Sequence, residues 1–254
     1  MSVADPETPA SHPHWRDVVG WTVPLAMEQL DPFNLVIEPR PPQFREAIFG
    51  EGKQKTRIQS DGWVDESCRL NVKYSRIQSA VADIATIMIY PTAGPDLLPI
   101  FAAEWVVIGP RCHALILDVE TANRQPTLFS QMESAYSELG ASWQKTIPEN
   151  RDRPAWFDEI ATPWAIYGTA DLEILPEVQK AFSAYLGVTI ETFYRPFLSQ
   201  AAGGSDHPDV TAYKQHHYEN SPGRPLLSAK AGAAWTDEFL ANWHFGPSLR
   251  EGAS

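Results

Sequence analysis

Between positions 84 and 118 the chain reads IATIMIYPTAGPDLLPIFAAEWVVIGPRCHALILD, a series of apolar, strand-forming segments punctuated by turn residues. Residues 84–90 are β-branched and apolar and stop at Pro91. Pro-Thr-Ala-Gly-Pro then makes a turn, 105–108 form a second strand, and Gly109-Pro110 leads into a third over 113–118. Connections this short cannot hold a crossover helix, so the strands they join must run antiparallel. One carboxylate, Glu104, interrupts the run. Its followers Trp105, Val106, Val107 and Ile108 are apolar at successive positions, so in/out alternation does not account for it. A carboxylate in such surroundings needs a chemical task that offsets its desolvation.

The rest of the chain divides into strands first and helices later. Residues 18–30 have helical character, and a strand region starts at 33–39, broken by Pro39, Pro41 and Pro42. Residues 51–61 are polar and mixed in charge. Residues 69–78 alternate Leu70, Val72 and Tyr74 against Asn71, Lys73 and Ser75, as a half-buried strand does. From 128 to 143 the spacing turns helical, with Met132, Tyr136, Leu139 and Trp143 on one stripe. A mixed element follows at 156–167, then helices at 176–185 and 188–199, a loop at 201–206, and helices at 208–219 and 233–244. The pattern predicts an α+β fold with helices on the faces of an antiparallel sheet. It also predicts one domain over 15–254 behind a polar, Pro-rich, disordered leader at 1–14.

A net charge of −12 disfavours nucleic acid and anionic membranes as partners. The sequence shows no apolar run of ~18 residues, the minimum for a membrane span. Two cysteines, Cys68 and Cys112, make neither a disulfide framework nor a metal cluster, and the chain reads as cytoplasmic. Nine tryptophans suit a pocket for a large planar ligand.

The 84–118 segment also resembles the ferredoxin-dependent bilin reductases. It has a strand ending in Tyr-Pro, a turn, then Pro-Ile-Phe-Ala-Ala-acid-Trp-Val and an apolar strand closing on Asp, where that family carries a Phe-Gly-(small)-Asp-Leu-Val core. RPAWFDEIATPWAIYG at 153–168 resembles the family's Pro-x-Trp segment with its later Phe-Ser-Pro-(Phe/Trp)-x-Ile-Phe. YKQHHYENSPGRPLLSAKAGAAWTDEFLANWHF at 213–245 resembles its C-terminal Tyr, then Asn-Asp-Pro-Ala-Arg, a helix, and Gly-x-x-Trp-x-x-x-(Phe/Tyr). The three matches lie in family order. The resemblance implies a three-layer α/β/α sandwich with a central antiparallel sheet, and a linear tetrapyrrole, usually biliverdin, held between the sheet and the C-terminal helices. It further implies no bound metal or organic cofactor. Reduced ferredoxin delivers electrons singly, side chains supply protons, and the product can pass to a bilin-binding photoreceptor.

On that resemblance Glu104 stands at the central catalytic Asp, with a methylene added. A carboxyl on an apolar strand holds its proton more tightly and can donate it near neutrality. Thr86 stands where phycocyanobilin-forming members have His and phycoerythrobilin-forming members often have Asn. Asn220 and Ser221 match the family's Asn-Asp pair, so the second acid is missing. His217, four residues before Ser221 on the same helical face, is the expected substitute, assisted by Asn220. Asp118 matches a family Asp closing the third strand and also suits a capping role in the turn that follows. Arg69 and Arg76 are alternative partners for bilin propionates; the basic residue that the resemblance implies near Thr169 is missing. Lys53, Lys55 and Arg57, if on a strand, would face one way and could dock ferredoxin or hold bilin propionates. With one family acid kept as a carboxylate, a two-electron reduction of biliverdin or a dihydrobiliverdin is expected rather than four. Two alternatives stay open at this point: a bilin-binding carrier that has lost its acids, and a reductase of another linear tetrapyrrole such as a red chlorophyll catabolite.

Overall fold

The computed structural model describes residues 15–65, 69–92, 98–122, 124–147, 151–198 and 206–246. The expected leader at 1–14, Cys68, most of the turn after Pro91 and most of the 201–206 loop lie outside the described residues. Eight strands form one sheet: β1 (Val36–Ile37), β2 (Glu46–Phe49), β3 (Thr56–Val64), β4 (Leu70–Gln78), β5 (Ala82–Pro91), β6 (Ile100–Ile108), β7 (Arg111–Glu120) and β8 (Ile166–Asp171). From β3 onward they lie in chain order. Both β1 and β2 pair with β3, and every pairing is antiparallel. The β6–β7 turn is the Gly109-Pro110 pair, and Gly109 takes φ +55°, in the left-handed region that glycine enters without cost.

Alternation along the strands gives the sheet two buried faces. On one, Val72, Ile87, Phe101, Trp105 and Leu117 pack beneath α1 (Thr22–Leu30), α2 (Pro126–Thr146) and α3 (Leu175–Thr189). α2 offers Leu128, Met132, Tyr136 and Gly140 at four-residue spacing, one helical stripe. Trp105 is fully buried, stacks near Trp21 and Phe182, and its indole N–H donates to Thr22 Oγ1 at 3.1 Å. Asp83 accepts the amide N–H groups of Val18 and Val19 and is gripped by the Arg76 guanidinium at 2.7 Å, which ties the start of the chain to this face.

On the other face, Ile58, Met88, Tyr90, Ala102 and Tyr167 meet α4 (Pro208–Asn220), α5 (Gly223–Ala231) and α6 (Ala233–Phe239). α6 continues into a π-helical turn, Leu240–His244, an arrangement often found at functional sites. Trp243 of that turn approaches the sheet closely because position 62 is glycine; a Cβ there would meet its ring at 2.9 Å. The Lys73 ammonium sits 3.9 Å from the same ring and pairs with Glu38, clamping the C-terminal layer down. The α/β/α sandwich is therefore complete. No helix among the described residues is long and apolar enough to cross a membrane.

Several expectations need correction. The strand expected at 105–108 starts at Ile100, which puts Glu104 mid-strand. The polar 51–61 segment holds the start of β3, whose inward positions Thr56, Ile58 and Ser60 are buried in alternation while charged and polar groups face out. Lys53 lies in a short 3₁₀ turn, Lys55 precedes the strand, and Arg57 is paired with Glu46 at 2.9 Å, so the three do not form a strip. Periodicity assigns no element to 220–232, where Gly223, Pro225 and Ser228 mask the helical period; α5 fills Gly223–Ala231, where the family resemblance implies a helix.

Candidate active site

The antiparallel register aligns Ser75, Thr86, Glu104, Ile116 and Tyr167 across β4, β5, β6, β7 and β8, one transverse row on the face covered by the C-terminal helices. Above this row opens a cleft of about 390 Å³. Its floor is sheet: Ile77, Ile84, Thr86, Met88, Glu104 and Val106. Its roof is Leu227, Phe239, Leu240, His244 and Phe245. This is the size and apolar character of a small-molecule site. Among the described residues lining it, Glu104 is the one carboxylate.

Glu104 is half-buried, and the Thr86 hydroxyl donates to its Oε2 at 3.4 Å. Burial pushes its carboxyl up from the ordinary range; the charge of His217 and the Thr86 hydrogen bond pull it partly back. His217 reaches the same place from α4. Its ring is buried, edge-on to Trp156 at 5.3 Å and tilted against Tyr213 at 4.8 Å. The Nε2 atom lies 3.8 Å from Glu120 Oε2, and the Tyr213 hydroxyl donates to that same carboxylate. Ser221 caps α4, its N–H bonded to the His217 carbonyl at 3.0 Å, so the two share the cleft wall as the helical spacing predicts.

His244, presented by the π-helical turn, has its imidazole pushed down to about 3 by burial and by the nearby charges of His217, Lys73 and Lys214. It is therefore a neutral hydrogen-bonding group at physiological pH. At the rim, Arg151 donates to the His113 carbonyl at 2.8 Å and lies over the Tyr167 ring, and Arg224 pairs with Asp237 at 2.8 Å. Together they give the mouth of an otherwise apolar cleft two cations.

Other expected residues lie elsewhere. Arg76 is on the opposite face, held by Asp83 and Asp17, because even-numbered positions of β4 point toward α1. Arg69 is ion-paired with Asp65 at 3.1 Å and does not line the cleft. Asn220 is exposed and turns back to donate to the His216 carbonyl at 2.9 Å. Asp118 lies on the same face as Glu104, yet it is fully buried and accepts the Thr162 N–H at 2.8 Å and the Thr162 hydroxyl. It fastens the loop before β8 instead of meeting a ligand. Arg151, Arg224, His244 and Glu120 were not singled out from sequence. Arg224 carried a signal, since it occupies the Arg of the Asn-Asp-Pro-Ala-Arg pattern; the other three carried none.

The comparisons with known proteins decide the family. The sequence model described as "Ferredoxin-dependent bilin reductase" matches residues 28–246, most of the chain. The chain belongs to the ferredoxin-dependent bilin reductase family. It is similar to phycoerythrobilin:ferredoxin oxidoreductase of Prochlorococcus marinus (strain NATL2A), at 23% identity over 78% of this chain and 80% of that protein. The corresponding protein of Synechococcus sp. (strain CC9902) is 24% identical over 87% and 91%. Tomato phytochromobilin synthase, solved in complex with biliverdin, shares the fold with a TM-score of 0.71 at 15% identity, covering 91% of this chain and 84% of that one. As a ferredoxin-dependent bilin oxidoreductase, this chain takes its electrons from an external iron–sulfur protein.

Asp118 gives this bilin reductase a pH-dependent stability. Burial, then the charge of Glu120, raise its carboxyl from 3.8 to about 7. A group that binds its proton more tightly when folded stabilises the fold fully below its unfolded value, and that contribution fades as pH rises through the folded one. Thermal denaturation is therefore expected to show stability falling between about pH 4 and pH 7, with Asp118→Asn flattening the slope. An unchanged slope in the variant would assign the proton to another group.

Proposed function

We propose that this bilin reductase reduces biliverdin, or a dihydrobiliverdin, by two electrons. Reduced ferredoxin delivers them one at a time, and each is matched by a proton, so the intermediates are bilin radicals. The observation that carries this reading is the placement of Glu104. It is the sole carboxylate lining the cleft among the described residues, sits at the centre of a transverse sheet row, and has its proton affinity raised by apolar surroundings. A planar tetrapyrrole laid on the row would present its conjugated carbons and ring nitrogens to that acid. Arg151 and Arg224 at the rim would hold the two propionates, and the neutral His244 would offer one hydrogen bond from the roof. Thr86 orients the acid and has no proton to give near neutrality. A single acid in contact with the substrate favours two-electron over four-electron chemistry.

The relatives' name couples phycoerythrobilin to ferredoxin, so a phycoerythrobilin-type product is the first to seek. The test is anaerobic absorbance. Purified protein mixed with biliverdin is expected to give a red-shifted, structured band. Reduced ferredoxin with a regenerating system should then convert it to a blue-shifted product, identified by chromatography. A bound spectrum that persists under reducing power would instead mark a carrier, and no spectral change on mixing would end the biliverdin reading.

A further inference from the structure

Beside Glu104, sharing Thr86, Met88, Glu104 and His217 with the main cleft, lies a second cavity of about 10 Å³. That is close to the least space that holds one water. Its polar walls are Thr86, Glu104, Glu120 and His217; the remainder, including Ala102 and Trp156, is apolar. A buried water needs two to four polar partners, and this cavity supplies four. His217 also has an unmet need there: its Nε2 is buried without a hydrogen-bond partner, and at 3.8 Å the Glu120 oxygen is too distant to be one. A single water held there would satisfy that nitrogen and link three ionisable groups from β6, β7 and α4.

We infer that this cavity is a one-water proton relay that recharges Glu104 from His217, with Glu120 holding the imidazole's charge. The inference rests on the bilin-reductase reading above and deepens it. Reduction by two electrons needs two protons, and a single carboxyl in contact with substrate carries one. After Glu104 has protonated the bilin, its carboxylate takes a proton from the water, and the water takes the Nε2 proton of the His217 imidazolium. Carboxylate becomes carboxylic acid, imidazolium becomes imidazole, and the water is regenerated; no electron moves in this step. The imidazole also borders the main cleft, which opens to solvent, and regains its proton there.

The surrounding groups leave this route uncontested. Glu120 is 1% exposed and fixed by the Tyr213 hydroxyl, so it stays in place as a counter-charge. Asp118, two positions before it on β7, accepts from Thr162 and the Val119 N–H and does not line this cavity. His244 is held neutral and carries no spare proton. Glu120 therefore stands in for the acid that Ser221 lacks, reaching the site from the sheet instead of the helix, as a positioning residue that acts through His217.

The test is single-turnover reduction of bound biliverdin by reduced ferredoxin, with absorbance and electron paramagnetic resonance following the radical. Two variants approach the relay independently. Glu120→Gln removes the counter-charge and keeps an acceptor for Tyr213. Ala102→Val fills the cavity without altering any polar group or the lining of the main cleft. In both, the ratio of second-step to first-step rate is expected to fall at least ten-fold, and the one-electron radical to accumulate. A structural defect alone would slow both steps together. The wild-type ratio in either variant would overturn the relay and leave the bilin reading intact; wild-type protein that leaves both biliverdin and a dihydrobiliverdin unreduced would overturn both.

Discussion

Glu104→Gln is expected to lower turnover of bound biliverdin by about 10²- to 10⁴-fold, the range that a positioned general acid contributes. Glutamine keeps the length and shape of the side chain and an oxygen for the Thr86 hydroxyl, so the bilin-bound absorption band should survive. Its amide cannot give up a proton near neutrality, so the first one-electron radical should persist. Glu104→Asp is the companion variant. It retracts the acid by about 1.5 Å, one carbon–carbon bond. Turnover should recover in large part while the product distribution shifts, because the acid then reaches a different part of the tetrapyrrole. A Glu104→Gln enzyme that turns over at the wild-type rate would remove Glu104 from the chemistry.

The second large effect concerns stability. Trp105→Ala is expected to destabilise the fold by about 3–5 kcal/mol, the range for deleting a buried Trp side chain. Trp105 is next to Glu104 in sequence but points the other way, into a cluster with Trp21 and Phe182, and its N–H is bonded to Thr22. Its loss would open a cavity at the contact between sheet, α1 and α3, and leave the Thr22 hydroxyl without that donor. For a domain of this size each kcal/mol is worth about 2–4 °C of melting temperature. Chemical denaturation would measure it, and a loss below about 1 kcal/mol would show that the cluster repacks around the gap.

These neighbours show how much of the molecule could be read from sequence. The strands around 84–118, the helices at 128–143, 176–185 and 208–219, and the sandwich they form all follow from periodicity that the fold obeys. Glu104 stood out because a carboxylate among apolar residues contradicts that periodicity. His217 was found because helical spacing tied it to Ser221. Arg76 was misplaced for a physical reason: its facing is fixed by the parity of β4, and its partners on the far side are Asp83, seven residues on across the β4–β5 hairpin, and Asp17, 59 residues away. Asn220 was misplaced because the end of a helix rotates its last side chains outward, beyond what a motif match can resolve. Glu120 and His244 gave no local signal. The importance of each arises from contacts made 97 and 27 residues away, between Glu120 and His217 and between His244 and His217, which only tertiary structure brings together.

The transverse row has one more implication. Neighbouring strands are spaced by ~4.8 Å, and antiparallel register turns that spacing into a ruler laid across the sheet. Glu104 occupies one graduation, with Thr86 and Ser75 on the next two. An acid moved from β6 to β5 or β4 would travel along the substrate in fixed increments while the backbone, the roof and the rim arginines stay where they are. With a bilin laid along the row as proposed, one scaffold would address different double bonds by single substitutions along a line.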